Sequence, residues 1–353
     1  MSIQKRIFGK TKSGEIVTSY RLKNHNGMEA EFIDYGARLV SLLVPDKKNN
    51  KKDVVLGFDT VEDYETSDTY YGAFIGRNGN RIQNGEFSLN KKKYILEKNS
   101  GNHNLHSGFE GYDKKMYEVE TFEEEGEVSV EFSRLSPDME QGFPGNLDIT
   151  VTYTLTEDNA LVMEYFAVGD QDTLVNLTNH SYFNLGGHDS GDVLQHKVKI
   201  ASANFALTDE ELIPTGELVP VEGTPMDFRV WKAIGEDIEA DYAPLKNAGG
   251  YDHHFVFDQA DKEVTLVAEA KEEESGICME VYSDMPGLQF YTGNFIKGKE
   301  KGKGGYKYQK RAGFCFETQY IPNSVNLKNI DTCILPKGKT FDSTTVFHFG
   351  HNK

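Results

Sequence analysis

The chain has 353 residues, of which 38% are hydrophobic and 27% are charged, so it carries enough apolar material for a sizeable core and is not predicted to be disordered. Its 38 basic residues against 56 acidic residues give a net charge of −18, a sign that disfavours binding to nucleic acid or anionic lipid. No window approaches the roughly 18 uninterrupted apolar residues of a membrane helix, and three cysteines without a CxxC pair fit a reducing compartment, so we expect a cytoplasmic protein.

Alternating apolar and polar residues, the pattern of a strand with one buried face, recur along the chain. The segment FEEEGE, from Phe122 to Glu127, predicts the tip of a hairpin. In ITVTYTL, from Ile149 to Leu155, threonines separate side chains that share the opposite face. The same alternation predicts further strands around Val128, Val198, Leu266, Phe314 and Val346.

Helical periodicity is confined to short stretches such as the one from Phe228 to Tyr242. Strands and helices do not alternate regularly, which disfavours a parallel, doubly wound sheet. We therefore predict an all-β fold, a large antiparallel assembly with a few short helices. No stretch resembles an interdomain linker, so residues 1–353 are expected to form one domain. The basic segment from Lys297 to Lys307 is predicted to be an exposed connector.

Two segments place polar residues where a strand would bury its side chains. In LVNLTNHSYFNLGG, from Leu174 to Gly187, alternation puts four polar or aromatic side chains on one face: Asn176, Thr178, His180 and Tyr182. A buried polar group without a partner costs about 1–3 kcal/mol, so a cluster of this size indicates an internal network or a ligand site. Taken without its neighbours, a histidine such as His180 is more often a structural residue with satisfied hydrogen bonds.

The second segment is GFCFETQYIPNS, from Gly313 to Ser324. Phe314 and Phe316 alternate in it with Cys315 and Glu317, so the glutamate faces away from the phenylalanines. Glu317 then either faces solvent, pairs with a buried arginine, or is a carboxylate whose desolvation raises its pKa towards a range useful for proton abstraction.

Other polar groups are less specific. His103 and His106 are three residues apart, but no HExxH or CxxC motif accompanies them, and the neighbouring His253 and His254 would point to opposite faces of a strand, so no metal site is predicted. GRNGNRI, which holds Arg77, Asn80 and Arg81, has neither Walker nor dinucleotide-binding spacing.

Taken in order, these segments resemble the aldose 1-epimerase (galactose mutarotase) family over nearly the whole chain. The resemblance is carried by DYGARLVSLLVPD at Asp34, DVVLGFDTVEDY at Asp53, GRNGNRI at Gly76, NSGNHNLHSGFEGYDKKMYE at Asn99, NLTNHSYFNLGG at Asn176, GGYDHHFVF at Gly249, PGLQFYTGNF at Pro286 and ETQYIPNSVN at Glu317. It implies a β-supersandwich fold, no cofactor, and interconversion of the α and β anomers of a free aldose such as galactose or glucose.

The resemblance also implies roles for single residues. Glu317 matches the catalytic base of the family and His180 matches its catalytic acid. The positions that match sugar-binding or pocket-lining residues are Asn80, Arg81, His106, Tyr182, Asp252 and Gln289. A base that takes the anomeric hydroxyl proton while an acid protonates the ring oxygen suffices for ring opening. We expect a nearby carboxylate, Asp252 or Glu317, to raise the pKa of His180 and keep it protonated.

Three positions depart from the family pattern, namely Gly79, Asn104 and His254, and they bear on sugar preference rather than on the reaction. Rival functions are a glycoside hydrolase that uses Glu317 with Asp252, a sugar-binding module without catalysis, and a hexose-phosphate mutarotase. The last would need Arg77 or a connector lysine near the site. The preferred aldose and the oligomeric state, monomer or homodimer, are left open.

Overall fold

The computed structural model describes residues 1–258 and 262–351, and its largest sheet has nine antiparallel strands. In spatial order these are Glu118–Glu124, Glu127–Ser136, Leu147–Thr156, Ala160–Gly169, Thr340–His351, Ile277–Ser283, Thr265–Lys271, Lys197–Ile200 and Lys232–Ala233. Five of the six predicted strand segments lie in this sheet, and the sixth, around Phe314, lies in a five-stranded sheet beside it. The predicted hairpin tip is confirmed by the pairing of Glu124 with Glu127.

Two five-stranded antiparallel sheets accompany the nine-stranded sheet. The N-terminal sheet comprises Ser2–Lys10, Ile16–Lys23, Glu29–Ile33, Arg38–Pro45 and Lys51–Asp53. The pocket sheet comprises, in spatial order, Pro214–Pro220, Asn204–Thr208, Asp252–Val256, Gly287–Tyr291 and Cys315–Thr318. Four strand pairs complete the described β-structure: Ala73–Ile75 with Thr178–His180, Arg81–Ile82 with Asn104–Leu105, Glu86–Leu89 with Lys92–Ile95, and Thr173–Leu174 with Ile334–Leu335.

Helices are short throughout the described residues. The α-helices are Val61–Thr66, Ile234–Asp237 and Ala243–Ala248. Single 3₁₀ turns occur at Gln83–Gly85, Tyr112–Lys114, Glu140–Gly142, Lys303–Gly305 and Ser324–Asn326. None of the helices in the described ranges has the length and apolarity needed to cross a bilayer.

The core fills the space between the nine-stranded sheet and its two neighbours. Tyr153, on the predicted buried face of the strand around Val151, stacks on Phe32 of the N-terminal sheet with ring centroids 4.4 Å apart. Towards the C-terminal half, Phe347 of the nine-stranded sheet meets Phe183 at 5.0 Å. Aromatic side chains therefore pack between segments that lie far apart in sequence.

Two local predictions need correction. The stretch from Phe228 to Tyr242 holds only one helical turn, Ile234–Asp237, because Lys232 and Ala233 pair instead with the edge of the nine-stranded sheet. The basic connector is not exposed throughout, since Lys303 is buried. Its Nζ lies 2.7 Å from Oδ2 of half-buried Asp53 and donates to the carbonyl of Val40, and a buried ammonium is tolerated only with such partners.

Candidate active site

The candidate site is a cavity of about 150 Å³ that lies against one face of the pocket sheet and opens to solvent. This volume is below the roughly 300–1,000 Å³ of pockets for drug-sized ligands, which favours a small ligand. Its walls come from segments distant in the chain, and the lining residues are Asp68, Thr69, Tyr70, Asn80, Arg81, Leu105, His106, His180, Tyr182, Asp252, Tyr291, Phe295, Ile296, Lys297 and Glu317.

Strand register places the acidic residues of the site on one face. Glu317 lies directly opposite Gln289 on the neighbouring strand, and Gln289 lies opposite His254 on the next. Two residues along each strand, Tyr291 lies opposite Cys315 on one side and opposite Asp252 on the other. Because directly opposed residues share a face, Asp252 and Glu317 project on the same side from strands that are separated by one other strand.

His180 reaches this face from the strand Thr178–His180, which lies against the strand of Glu317. Its Nε2 is 3.6 Å from Oε1 of Glu317, beyond a hydrogen bond but within direct charge interaction. Tyr182 stacks on the imidazole with centroids 4.9 Å apart and planes inclined by 19°. On the other side of the same ring, Nδ1 is 3.5 Å from Sγ of Cys315. The imidazole is therefore held on several sides.

The predicted sugar-binding residues also hold one another. The backbone N–H of Asn80 donates to Nδ1 of His106 at 3.1 Å, and both residues have positive φ, which turns the chain sharply at the cavity wall. Asp252 is approached by Arg81 at 3.7 Å and accepts a 2.7 Å hydrogen bond from Gln289 Nε2. Gln289 is buried on the same face of the sheet as Asp252 and Glu317, but it is not among the residues that line the cavity, so its contact with the sugar stays a prediction.

Three residues that contact His180 were not predicted from the sequence, namely Tyr70, Tyr291 and Cys315. Tyr70 packs against the rings of His106 and His180, with centroids 4.5 Å and 5.7 Å away, and no motif marks it apart from its tyrosine neighbour. Tyr291 lies in the segment PGLQFYTGNF, where its alternation with Gln289 is a usable signal. Cys315 shares the face of Glu317 by the same alternation, but its contact with His180 depends on tertiary packing.

Burial sets the protonation of the central pair. It raises the pKa of Glu317 well above its ordinary value, and the negative charge of Asp252 adds to this effect. Burial also lowers the pKa of His180 to about 3. The expectation that a carboxylate would raise the pKa of His180 is therefore wrong, because desolvation of the imidazolium outweighs a carboxyl group that is itself neutral. Both shifts favour the neutral forms of the pair, a protonated Glu317 and an uncharged His180.

One cluster in the described part of the chain has the side-chain types of a metal site. The ligand atoms of His106, His180 and Glu317 lie within 4.8 Å of one another, a set that zinc binds elsewhere. The hydrogen bond from Asn80 to Nδ1 of His106 argues against this use. It occupies the Nδ1 lone pair, so the neutral ring carries its proton on Nε2 and presents an N–H to the cavity instead of a free lone pair. This histidine is arranged as a donor to a hydroxylated ligand.

The cations that a hexose-phosphate mutarotase would need do not converge on the cavity. The guanidinium of Arg77 is buried and donates to the carbonyls of Ser136, Pro137, Pro144 and Gly145, so it does not reach a bound phosphate. Lys297 does reach the cavity rim, where it pairs with Asp68 at 3.3 Å.

The three positions that depart from the family pattern also lie outside the cavity lining. Asn104 donates to the carbonyl of Glu97. A Cβ on Gly79 would approach Oε1 of Gln319 to 3.1 Å, and one on Gly287 would collide with His254 at 2.1 Å. The prediction that these positions bear on sugar preference therefore has no direct contact with the cavity behind it.

Comparison with known proteins gives full-length matches. A family model described as Aldose 1-epimerase matches residues 18–348. Galactose mutarotase from Rattus norvegicus is 40% identical over 350 residues, which cover 99% of this chain and 99% of the relative. Aldose 1-epimerase from Escherichia coli K12 is 35% identical over 330 residues, which cover 93% of this chain and 94% of that protein.

Solved structures agree with the architecture. An aldose epimerase homologue from C. elegans superposes with a TM-score of 0.84 at 29% identity, over 94% of this chain and 98% of that chain. Galactose 1-epimerase from Lactobacillus acidophilus NCFM gives a TM-score of 0.88 at 24% identity, over 100% of both chains. The predicted fold class is thereby confirmed.

Proposed function

The chain belongs to the aldose 1-epimerase family, and on that premise we propose that it interconverts the α and β anomers of a free aldohexose with Glu317 as the base and His180 as the acid. The observation that carries this assignment is the approach of His180 Nε2 to Glu317 Oε1, 3.6 Å apart inside a buried pocket. Full-length similarity to proteins named galactose mutarotase and aldose 1-epimerase supports the activity.

Ring opening requires two proton transfers that balance. The Glu317 carboxylate takes the proton of the anomeric hydroxyl, whose oxygen becomes the aldehyde oxygen as the bond from the anomeric carbon to the ring oxygen breaks. The ring oxygen keeps that bond's electron pair and takes the Nε2 proton of His180. Rotation about the first carbon–carbon bond and reclosure, with each transfer reversed, yield the other anomer.

Burial favours the direction of these transfers. Opening converts a carboxylate and an imidazolium into a neutral acid and a neutral imidazole, which is the protonation state that burial stabilises in the empty pocket. When the closed sugar is bound, the proton must lie on His180 before the reaction starts. The positive charge of Arg81 favours this state, because it lowers the pKa of Glu317 and so stabilises the carboxylate. The two groups share one proton throughout, so they titrate as a pair.

The remaining pocket groups suit ring hydroxyls of an uncharged sugar. His106 presents an N–H and Arg81 presents guanidinium donors, while Asp252 supplies acceptor oxygens. A phosphorylated sugar is less suited, because Asp252 and Glu317 bring negative charge and Lys297 is already paired with Asp68.

Two broader statements belong to the same proposal. Residues 1–353 form one catalytic domain, which is supported by a hydrophobic cluster that includes side chains from Tyr20 to Phe349. The protein works in the cytoplasm, which is supported by the sequence, because its three cysteines include no CxxC pair.

Polarimetry with freshly dissolved α-glucose and α-galactose tests the assignment. Glu317→Gln and His180→Asn are expected to lower the catalysed rate by about 10²–10⁴-fold while the protein stays folded. Matched controls are Glu31→Gln, a buried carboxylate paired with Arg21, and His196→Asn, a buried histidine outside the pocket. Near wild-type rates in either pocket variant would refute the assignment, and sugar binding without faster anomer exchange in the wild type would identify a binding module instead.

A further inference from the structure

The two ring nitrogens of His180 face different groups. Nε2 points towards Glu317 at 3.6 Å, and Nδ1 lies 3.5 Å from the sulfur of Cys315. Cys315 and Glu317 are two residues apart on the strand Cys315–Thr318 and project from the same face. One short strand therefore contacts the imidazole at both nitrogens, and both Cys315 and His180 are buried.

We propose that Cys315 is a positioning residue whose sulfur accepts a hydrogen bond from Nδ1–H of His180, so that Nε2 is the nitrogen that gives and takes the proton. This inference rests on the proposed acid role of His180. It specifies which nitrogen of neutral His180 carries the proton and which side chain stabilises that tautomer.

The proton cycle requires this tautomer. An imidazolium that donates from Nε2 is left with its proton on Nδ1 and a free lone pair on Nε2, and the same lone pair takes the proton back when the ring closes. The alternative tautomer carries its proton on Nε2, next to Glu317, and cannot accept one there. Because a buried N–H without an acceptor costs about 1–3 kcal/mol, an acceptor at Nδ1 stabilises the productive form.

An uncharged acceptor fits the electrostatics of the pocket. A carboxylate at Nδ1 would favour the imidazolium and hold the proton on His180 after ring opening, whereas sulfur is a weak, neutral acceptor. Burial raises the pKa of the Cys315 thiol well above its usual value, and the charges of Glu317 and Asp252 add to this effect. The sulfur therefore remains a thiol, which orients the ring without adding charge.

The other titratable groups around His180 stay neutral, so His180 and Glu317 titrate together. Apart from Glu317 and Cys315, the titratable side chains whose rings contact it are Tyr70, His106, Tyr182 and Tyr291. Burial raises the pKa of each tyrosine and lowers that of His106, so these neighbours stay neutral at working pH. The positive charge of Arg38 lowers the pKa of His180 further.

The first experiment compares Cys315→Ala, Cys315→Ser and Cys333→Ala by polarimetry across pH, with folding checked by circular dichroism. Cys333 is the matched control, a buried thiol that donates to Asn78 outside the cavity lining. Cys315→Ala is expected to lower kcat about 10-fold with KM changed less than about twofold. Loss of the acceptor also destabilises the imidazolium, so the alkaline limb of the pH–rate profile moves to lower pH. Cys315→Ser, which restores an acceptor, recovers most of both effects, and Cys333→Ala shows neither.

A wild-type kcat and pH profile in Cys315→Ala, or an equal loss in Cys315→Ser, would overturn the role of the sulfur. If Cys315→Ala does not fold, ¹⁵N NMR of histidine-labelled wild-type protein decides, with His180→Asn identifying the signals. Neutral His180 is expected to carry its proton on Nδ1, and a proton on Nε2 would overturn the inference. Full turnover in His180→Asn would refute the proposed function itself, whereas an inactive His180→Asn with an unaffected Cys315→Ala refutes only the role of Cys315.

Discussion

The two faces of the pocket sheet differ sharply although they belong to the same strands. On one face, Phe290 and Phe316 pack 5.4 Å apart in the main core. On the other face, Gln289 and Glu317 are equally buried, but Oε1 of Gln289 and Oε2 of Glu317 have no hydrogen-bond partner. The apolar face stabilises the fold, and the polar face keeps buried polar atoms that no protein group satisfies.

This contrast separates the energetic roles of neighbouring residues. Each unpaired buried polar atom costs about 1–3 kcal/mol of stability, which the aromatic packing behind it offsets. Substitutions on the apolar face should therefore destabilise the protein. Substitutions on the polar face should affect turnover first and leave stability unchanged or improved.

The largest effect on stability is expected for Phe290→Ala. Removing a buried aromatic ring that contacts Phe228, Tyr251 and Phe316 leaves a cavity and should lower the free energy of unfolding by about 3–5 kcal/mol. Urea unfolding measures this loss. A loss below about 1 kcal/mol would contradict the division between the two faces, because it would mean that the apolar face contributes little.

The next effect concerns His196, a buried histidine beside Phe314 on the apolar side, whose pKa burial lowers to about 4. In the unfolded chain its pKa is near 6.5, so below that pH only the unfolded state gains a proton and the fold loses stability. Between about pH 6.5 and pH 4 the free energy of unfolding of the wild type should fall by on the order of 3 kcal/mol because of this histidine. His196→Asn should lack that part of the fall. Urea unfolding across this range checks it, and unchanged pH dependence in the variant would contradict the prediction.

Glu317→Gln should show the opposite sign on the polar face. Because the folded pKa of Glu317 is raised, the wild type loses stability as pH rises above the ordinary glutamate value, where the unfolded chain ionises first. The variant cannot ionise, so its stability gain should grow with pH to about 0.5–2 kcal/mol near pH 8. Comparing unfolding curves near pH 4.5 and pH 8 tests this, and a variant that is less stable than the wild type at the higher pH would be inconsistent with a desolvated carboxyl.

The smallest effect is expected at the exposed rim, for Lys297→Ala. Its pair with Asp68 joins two largely exposed side chains, so its loss should change the free energy of unfolding by less than about 1 kcal/mol. The same variant sharpens the choice of substrate. If the wild type turned over a hexose 6-phosphate faster than the free hexose and Lys297→Ala abolished this preference, the proposal of an uncharged aldose would be wrong.

Several features of the site follow from local sequence. Alternation alone separates Phe314 and Phe316 from Cys315 and Glu317, and the structure keeps that separation. The same rule places His180 and Tyr182 together on one side, and their rings do stack. Where several side-chain types fit a local pattern, the sequence is less informative. The contact predicted between Gln289 and the sugar stays a prediction, and the structure adds a hydrogen bond from Gln289 to Asp252 that the local pattern did not indicate.

The sequence by itself therefore determined the all-β class, the face on which each chemical group lies and, through resemblance, the family. Tertiary structure alone decided which groups meet, because Tyr70, His106, His180, Asp252 and Glu317 come from segments whose pairing is long-range. It also decided the burial that favours the neutral forms of His180 and Glu317, and which nitrogen of His180 faces Cys315. Protonation and tautomer depend on burial and on hydrogen-bond partners, and neither is encoded by the spacing of residues along one strand.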